Sequence, residues 1–327
     1  MNAPGRRWRR LLVAVLAASG LALGTAAAVA APGQPSAPRT ASADAARQAA
    51  DRHQAATAGQ AAAACNPNAS SLRPAGSPQV TSGSFMAKIR ARGYLIAGVD
   101  QSTYHFGFLN PLTGNIEGFD IDVIRAVAKA IFGTSDPSRI HFKAISDEQR
   151  IPDIENGTVD IVAHTMTITC DRLKDVDFSA VYFEAHQKVL VLKNSSATSL
   201  ASLHGQKVCA TTGSDSVATI QADKAIAVQV QYWTDCLVQL QQNDVAAVST
   251  DDSILDGLAA QDPQTKIIGG PLTNEPYGLA ISKQHPEFVR FVNAVLQQYE
   301  SDGQWKASYR YWLGSSPPNP PALQYAS

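Results

Sequence analysis

The sequence predicts an α/β protein whose sheets are mostly parallel and are flanked by helices on both faces. Short apolar runs alternate along the chain with stretches of helical periodicity, which is the pattern of strand–helix–strand units. The chain has 327 residues, which is more than one hydrophobic core comfortably organises. We therefore expect two lobes.

The first half of the chain contains three predicted strands and two predicted helices. Apolar runs predict strands at residues 94–99, 140–144 and 159–163, and periodicity predicts helices at 118–132 and 149–155. In the longer helix, Ile121, Ile124, Ala128 and Ile131 fall on one stripe, and Gly133 is a natural helix end.

The second half repeats this alternation. Strands are predicted at residues 188–192, 207–210 and 246–249, and helices are predicted to start near Ser216 and Asp235. Two closing helices are predicted at 287–301 and 305–313, and a proline-rich tail from Pro317 onward ends the fold.

Residues 1–31 have the pattern of an export signal. Four arginines within residues 6–10 form a positive region, residues 11–23 form an apolar stretch, and small residues at 26–30 suit signal peptidase. An uncleaved anchoring helix is the alternative interpretation. The protein is therefore expected outside the cytoplasm, either associated with the cell surface or secreted.

Residues 32–82 are predicted to form a flexible tether. The segment is rich in Ala, Gln, Ser, Thr, Pro and Gly, and such a composition buries too little apolar area to offset the entropy of ordering. The folded lobes are therefore expected to begin near residue 83.

Composition and charge exclude several classes of protein. Hydrophobic residues make up 45% of the chain and charged residues 17%, which excludes a wholly disordered protein. The formal net charge of −1 provides no broad basic surface for nucleic acid. No stretch beyond the N-terminus approaches the roughly 20 apolar residues of a membrane span, which excludes a polytopic membrane protein.

The chain has four cysteines, Cys65, Cys170, Cys209 and Cys236, and none has the short paired spacing of a zinc site. Three disulfide pairings are possible. An exported protein favours disulfides over free thiols, although free buried thiols remain the alternative. The favoured pairing is Cys209–Cys236 within one lobe and Cys65–Cys170 between the tether and the other lobe.

Polar side chains follow four of the predicted strands, at the edge where open α/β sheets bind their ligands. These segments are residues 100–108, 165–172, 211–216 and 250–252. Arg172 could bind an α-carboxylate through two parallel hydrogen bonds, and Asp251 could bind an α-ammonium group. Thr167 and the amides around Ser214 would add neutral hydrogen bonds. The pattern therefore favours a free amino acid as the ligand.

Several ordered motifs between residues 95 and 313 carry a family resemblance. They are Gly-Phe-Asp-Ile-Asp at 118–122, Arg-Ile-Pro at 150–152, Val-Asp-Ile-Val at 159–162, Thr-Met-Thr-Ile-Thr at 165–169 with Arg172, Val-Asp-Phe-Ser at 176–179, Val-Tyr-Phe at 181–183, Tyr-Gly-Leu-Ala at 277–280 and Trp-Leu-Gly at 312–314. In these motifs the chain resembles the bacterial extracytoplasmic solute-binding proteins of family 3, which deliver polar amino acids to ABC importers.

The resemblance implies a periplasmic-binding-protein-like fold of two α/β lobes joined by two crossover strands, near residues 184–188 and 274–277. Lobe 1 would comprise residues 83–186 and 277–327, and lobe 2 residues 187–276. It also implies a protein that binds an amino acid and delivers it to an ABC permease without enzymatic activity, and we expect a monomer. The sequence shows no glycine-rich phosphate loop, metal-ligand cluster or Ser-His-Asp spacing, so we expect no metal or other cofactor, and its charge balance predicts no nucleic acid as a partner.

The resemblance also implies roles for individual residues. Arg172 would hold the ligand α-carboxylate with Thr167 beside it, and Asp251 would take the α-amino group from lobe 2. The lobe 2 loop around Thr212, Gly213 and Ser214 would reach the carboxylate through its amides. In that loop Asp215 stands where the family frequently has glycine. Tyr104 or Phe106 would be the aromatic residue on the ligand, and Thr165 opens the Thr-Met-Thr motif.

Two residues bear on which amino acid is bound. Arg150 resembles an arginine that points toward the ligand side chain in relatives that bind acidic amino acids. Asp100 opposes an acidic ligand because it places a second carboxylate nearby. A pair between Asp100 and Arg150 would instead suit asparagine or glutamine. We expect glutamate or aspartate first, and asparagine or glutamine next.

Each assignment has a structural alternative. Asp251 could cap the helix that starts near Ser253, although Asp252 could do so instead. Asp120 and Asp122 are expected to be helix-start charges, and His164 a structural histidine. For the whole protein, the alternatives are an amino-acid-sensing ectodomain for a membrane signalling partner and an enzyme of the cyclohexadienyl dehydratase type.

Overall fold

The computed structural model describes residues 65–326. The predicted export signal and residues 32–64 of the predicted tether lie outside the described residues. Within residues 65–326, no helix is both long and apolar enough to cross a membrane.

Residues 85–185 form three helices and eight strands. They are α1 (Phe85–Arg92), β1 (Leu95–Val99), β2 (Ser102–Thr103), β3 (Gly107–Leu109), β4 (Ile116–Glu117), α2 (Phe119–Phe132), β5 (Ile140–Ala144), α3 (Arg150–Glu155), β6 (Ile161–Ala163), β7 (Val176–Phe178) and β8 (Phe183–Ala185). The four residues of the predicted stripe on α2 are all buried, so the periodicity identified the core-facing side of this helix.

Residues 187–312 form the remaining elements. They are β9 (Gln187–Leu192), β10 (Lys207–Thr211), α4 (Ser216–Ala222), β11 (Ile226–Val230), α5 (Trp233–Gln241), β12 (Ala247–Asp251), α6 (Asp252–Gln261), β13 (Thr265–Ile268), β14 (Glu275–Tyr277), β15 (Ala280–Ser282), α7 (Pro286–Ser301) and α8 (Gln304–Trp312). The predicted strands and helices are present with bounds shifted by one or two residues.

Two five-stranded sheets organise the two lobes. Their strand orders are β5-β1-β6-β15-β7 and β11-β10-β12-β9-β13. In each sheet four strands run in the same direction and one runs the opposite way. The reversed strand is β15 in the first sheet and β9 in the second, and it is antiparallel to both of its neighbours. Each reversed strand follows directly after a crossover from the other lobe. The parallel strands end at one edge of each sheet, which places their polar ends in the cleft.

The lobes are connected by two short strands, β8 and β14, which pair antiparallel to each other. This pair lies where the resemblance implied the crossovers. We propose the predicted lobe boundaries on this basis, since the strands of the first sheet lie within residues 83–186 and 277–327 and those of the second within 187–276.

The segment after Cys65 is ordered against lobe 1, so the predicted end of the tether at residue 82 is wrong. The Ser71 hydroxyl donates a hydrogen bond to the Phe178 carbonyl oxygen at 2.7 Å. The buried Asn293 amide donates to the Ser71 hydroxyl at 2.7 Å and to the Leu72 carbonyl oxygen at 2.6 Å. These bonds offset the ordering entropy that the composition alone does not.

Both disulfides have the favoured pairing. Cys65 is bonded to Cys170, and Cys209 is bonded to Cys236. The first attaches the ordered N-terminal segment to the loop that carries Arg172, two residues beyond Cys170. The second joins β10 to α5 inside the lobe 2 core, where both cysteines are fully buried.

Candidate functional site

Arg172 lies at the boundary between the lobes and already contacts both of them. It follows β6 and begins a single 3-10 turn, Arg172–Lys174. Its guanidinium donates to the Thr167 carbonyl oxygen at 2.7 Å in lobe 1 and to the Gly213 carbonyl oxygen at 3.4 Å in lobe 2. The Asp215 carboxylate lies 3.4 Å from the same guanidinium. The arginine that was predicted to bind a carboxylate therefore lies where the two lobes meet.

The lobe 2 loop after β10 packs closely against the backbone of lobe 1. Gly213 has a φ of 86°, and a Cβ there would lie 2.8 Å from the Glu148 backbone. Only glycine fits both this conformation and this approach. The Thr212 amide bonds the Val230 carbonyl oxygen at 2.8 Å, so that amide is committed to the sheet. The Ser214 amide donates to the Thr211 carbonyl oxygen at 3.2 Å, and the Ser214 hydroxyl oxygen is buried and has no hydrogen-bond partner among the described residues.

Arg150 is a buried arginine that has its own counter-charge. Its guanidinium lies 2.9 Å from an Asp147 carboxylate oxygen, and it also donates to the carbonyl oxygens of His164 and Gly213 at 3.3 Å. The Thr211 hydroxyl of lobe 2 donates to the other oxygen of Asp147. Burial alone would raise the pKa of Asp147, but the Arg150 charge and the Thr211 hydrogen bond hold it below its usual value.

The suggested pair between Asp100 and Arg150 is not formed. The Asp100 carboxylate instead accepts hydrogen bonds from the amides of Gln101 and Ser102 and from the hydroxyls of Ser102 and Thr103. Asp100 thus folds the turn after β1, as short carboxylate side chains do at turns. It is buried at the strand end where it was predicted, but its oxygens are already committed.

Asp251, at the end of β12, meets the crossover strand β14. The Tyr277 hydroxyl donates to the Asp251 carboxylate at 2.5 Å and lies 2.8 Å from the Ser253 hydroxyl, which donates to it. Asp251 makes no capping bond to α6. Asp252 accepts from the Ser253 and His186 amides instead. Asp252, and not Asp251, therefore bonds the backbone at the start of α6.

The pKa of Asp251 lies well above its usual value. Burial is the largest cause, and the charges of Glu275 and Asp215 add to it, whereas the hydrogen bond from Tyr277 lowers it. Burial and the charge of Asp215 also raise the pKa of Glu275. Its carboxylate accepts hydrogen bonds from the hydroxyls of Thr273 and Thr167. A cation bound among Asp251, Glu275 and Asp215 would reduce the repulsion between their negative charges.

The two candidate aromatic residues have different positions. Phe106 is fully buried and packs edge-on against Phe183, so it is part of the lobe 1 core. Tyr104 is partly exposed, and its carbonyl oxygen lies 2.6 Å from where a Cβ of Gly257 on α6 would be. Only glycine at position 257 lets the two backbones come this close. Tyr104 of lobe 1 therefore contacts lobe 2.

Thr165 is held by the lobe 1 core. Its backbone φ is 42°, and its amide donates to the buried Asp120 carboxylate at 2.8 Å, which also accepts from the Tyr182 hydroxyl at 2.7 Å. Asp120 therefore fixes the start of the Thr165–Arg172 loop. His164 is buried, and one of its ring nitrogens lies 2.9 Å from the Ile145 carbonyl oxygen.

Three residues of this site were not predicted to act in it. Asp147 neutralises Arg150, Glu275 lies within the influence of the charges of Arg172 and Asp215, and Tyr277 donates a hydrogen bond to Asp251. The spacing of Asp147 and Arg150 by three residues, at the start of a helix, was a usable signal for an ion pair. The other two lie on a crossover strand, and their contacts depend on how the lobes meet.

The chain belongs to the bacterial extracellular solute-binding proteins, family 3, whose model matches residues 95–315. It is 38% identical over 235 residues to the ABC transporter glutamine-binding protein GlnH of Bacillus subtilis (strain 168), covering 71% of this chain and 85% of that protein. It is 35% identical over 235 residues to the glutamine-binding protein of Geobacillus stearothermophilus, covering 70% and 89%.

Solved structures share the fold. An ancestral arginine-binding protein bound to glutamine superposes with a TM-score of 0.64 at 34% identity, covering 68% of this chain and 99% of that chain. A mutant of ArgBP from T. maritima gives a TM-score of 0.65 at 28% identity, covering 69% and 98%. The predicted fold and family are confirmed, and the chain is a solute-binding protein of two lobes.

Replacing Tyr277 by phenylalanine should weaken amino-acid binding and change its pH dependence. The variant keeps the buried ring but removes the hydrogen bond that lowers the pKa of Asp251. An ammonium group needs Asp251 ionised, so affinity falls as the pH drops through this pKa, and Tyr277→Phe moves that fall to higher pH. We expect a loss of about fivefold to thirtyfold at neutral pH, measured by calorimetry across a pH series.

The matched control is Tyr299→Phe, which removes the hydroxyl of another buried tyrosine, on α7 outside the cleft. It should lower thermal stability without moving the pH profile of binding. Identical pH profiles for the wild-type protein and Tyr277→Phe would contradict the role given to Tyr277.

Proposed function

We propose that the protein binds a free polar amino acid between its lobes, outside the cytoplasm, and delivers it to the permease of an ABC importer. The single observation that carries this proposal is that Arg172 of lobe 1 pairs with Asp215 of lobe 2, while Asp251 of lobe 2 accepts a hydrogen bond from Tyr277 of the crossover strand, so both charges lie at the boundary between the lobes. A cation on one wall and an anion on the other match the two charged ends of an amino acid.

The same arrangement supports binding by closure. A ligand that contacts Arg172 of lobe 1 and Asp251 of lobe 2 together interacts more strongly with the closed form than with the open form, so it shifts the population toward closure. Charge-assisted hydrogen bonds contribute about 1.5–3 kcal/mol each. A few of them offset the desolvation of the ligand charges and leave the roughly 8 kcal/mol of a micromolar affinity.

We propose glutamine as the preferred ligand, ahead of glutamate and aspartate. Arg150, the residue that suggested an acidic ligand, is neutralised by Asp147 at 2.9 Å. Glu275 and Asp215 add negative charge to the same cleft. A second carboxylate on the ligand would meet this charge without a free cation, whereas a side-chain amide would not. The glutamine-binding relatives support the same order.

Two further features support the extracytoplasmic location. Both pairs of cysteines are oxidised to disulfides, which persist in oxidising compartments. The N-terminal residues also have the composition of an export signal. We propose that the protein acts as a monomer, with the permease as its protein partner.

Replacing Arg172 by alanine should abolish amino-acid binding and leave the fold intact. Among residues 65–326, Arg150 and Arg172 are the arginines at this lobe boundary, and Arg150 is paired with Asp147. The variant therefore removes the arginine that can bind a ligand carboxylate. Calorimetry with glutamine and glutamate measures the loss, which we expect to exceed about a hundredfold. Arg125→Ala, which removes an exposed arginine of α2, is the control and should bind normally. Unchanged affinity in Arg172→Ala would refute the carboxylate assignment.

Replacing Asp147 by asparagine should shift selectivity toward glutamate. Without its counter-charge, Arg150 becomes available to an acidic ligand side chain, so the ratio of glutamate to glutamine affinity should rise about tenfold. The variant also leaves a buried arginine unpaired, so its melting temperature should fall and glutamate should restore part of the loss.

Asp153→Asn is the matched control for this selectivity test. Asp153 lies on α3 and pairs with Lys143 at 3.0 Å rather than with Arg150. An equal change of the affinity ratio in both variants, or no change in Asp147→Asn, would remove the reason given for a glutamine preference.

A further inference from the structure

Arg172 has a partner from the opposite lobe before any ligand is considered. Asp215 directly precedes α4 of lobe 2, and its carboxylate lies 3.4 Å from the Arg172 guanidinium of lobe 1. The Arg172 side chain is 11% exposed and the Asp215 side chain 34% exposed, so the pair joins the two lobes and remains in reach of solvent.

Asp215 presents the same chemical group that an amino acid would present to this arginine. The nitrogen that faces Asp215 also donates to the Thr167 carbonyl oxygen at 2.7 Å, and the second terminal nitrogen donates to the Gly213 carbonyl oxygen. A guanidinium has a limited set of N–H donors in a fixed plane. A ligand carboxylate therefore has to replace Asp215 or share the guanidinium with it.

The surrounding charges make sharing unfavourable. The charge of Asp215 raises the pKa values of both Asp251 and Glu275, so the carboxylates in this part of the cleft already repel one another. A ligand carboxylate that enters beside Asp215 adds a further negative charge next to the same group. An acidic side chain on the ligand adds one more.

We propose that Asp215 acts as an internal competitor for Arg172, which limits the affinity for every amino acid and selects against acidic ones. This inference rests on the proposed function and adds a residue that sets its affinity and specificity. In the absence of ligand the Asp215 carboxylate pairs with Arg172 whenever the two lobes meet. A ligand that enters while the lobes are apart replaces that carboxylate with its own and so stabilises the closed form.

The test is Asp215→Asn, which keeps the size of the side chain and removes its charge. Affinity for glutamine, measured by calorimetry at low ionic strength, should rise about threefold to tenfold. Affinity for glutamate should rise more, so the ratio of glutamine to glutamate affinity should fall. Because Asp215 is partly exposed, added salt should shrink the difference between the variant and the wild-type protein.

The control is Asp223→Asn, at the other end of α4 from Asp215. It changes the net charge by the same amount and should leave both affinities unchanged. A gain of equal size in both variants would show a general charge effect and overturn the inference.

The remaining outcomes separate this inference from the proposed function. If the wild-type protein binds glutamine and Asp215→Asn binds it equally or more weakly, the internal competition is refuted and the proposed function stands. If neither protein binds any amino acid, both are refuted. Binding by the variant alone would support strong competition by Asp215.

Discussion

The structure depends on one electrostatic constraint, which is that every charge buried between the lobes needs a partner. Arg150 meets this requirement within its own lobe, through Asp147. Arg172 also donates to the Thr167 carbonyl oxygen of its own lobe, but its charged partner, Asp215, lies across the lobe boundary, and Asp251 is bonded by Tyr277 of the crossover strand. A charge that is paired across a boundary can exchange its partner when the lobes separate. These two residues are therefore the ones suited to a ligand.

The fold places these two residues by simple means. The carboxyl ends of parallel strands face the cleft in each lobe, and the crossover strands β8 and β14 join the lobes beside it. β14 carries Glu275 and Tyr277, so a crossover strand contributes residues to the proposed ligand site. Close approach of backbone to backbone at Gly213 and Gly257 brings the lobes into contact without side chains between them. Motion about the hinge would thus separate charges and backbone contacts together.

Much of this architecture was predictable from local sequence. The stripe of Ile121, Ile124 and Ile131 defined a helix, and apolar runs defined most central strands, because burial on both faces leaves a continuous signal. The short strands at 102–117 and the crossover β8 gave no such signal. Residues 65–82 are held by contacts with Cys170, Phe178 and Asn293, which are distant in sequence, and composition cannot reveal such contacts. Arg172 and Asp251 were placed in the cleft by their strand ends, but their partners follow from how the lobes meet.

The most direct test of this account is a crystal structure of the protein grown with glutamine. The account predicts one glutamine between the lobes, with its α-carboxylate on the Arg172 guanidinium, its ammonium group on the Asp251 carboxylate and Asp215 turned away from the arginine. Density for glutamine on another surface, with Arg172 and Asp251 still bound only to protein groups, would contradict it.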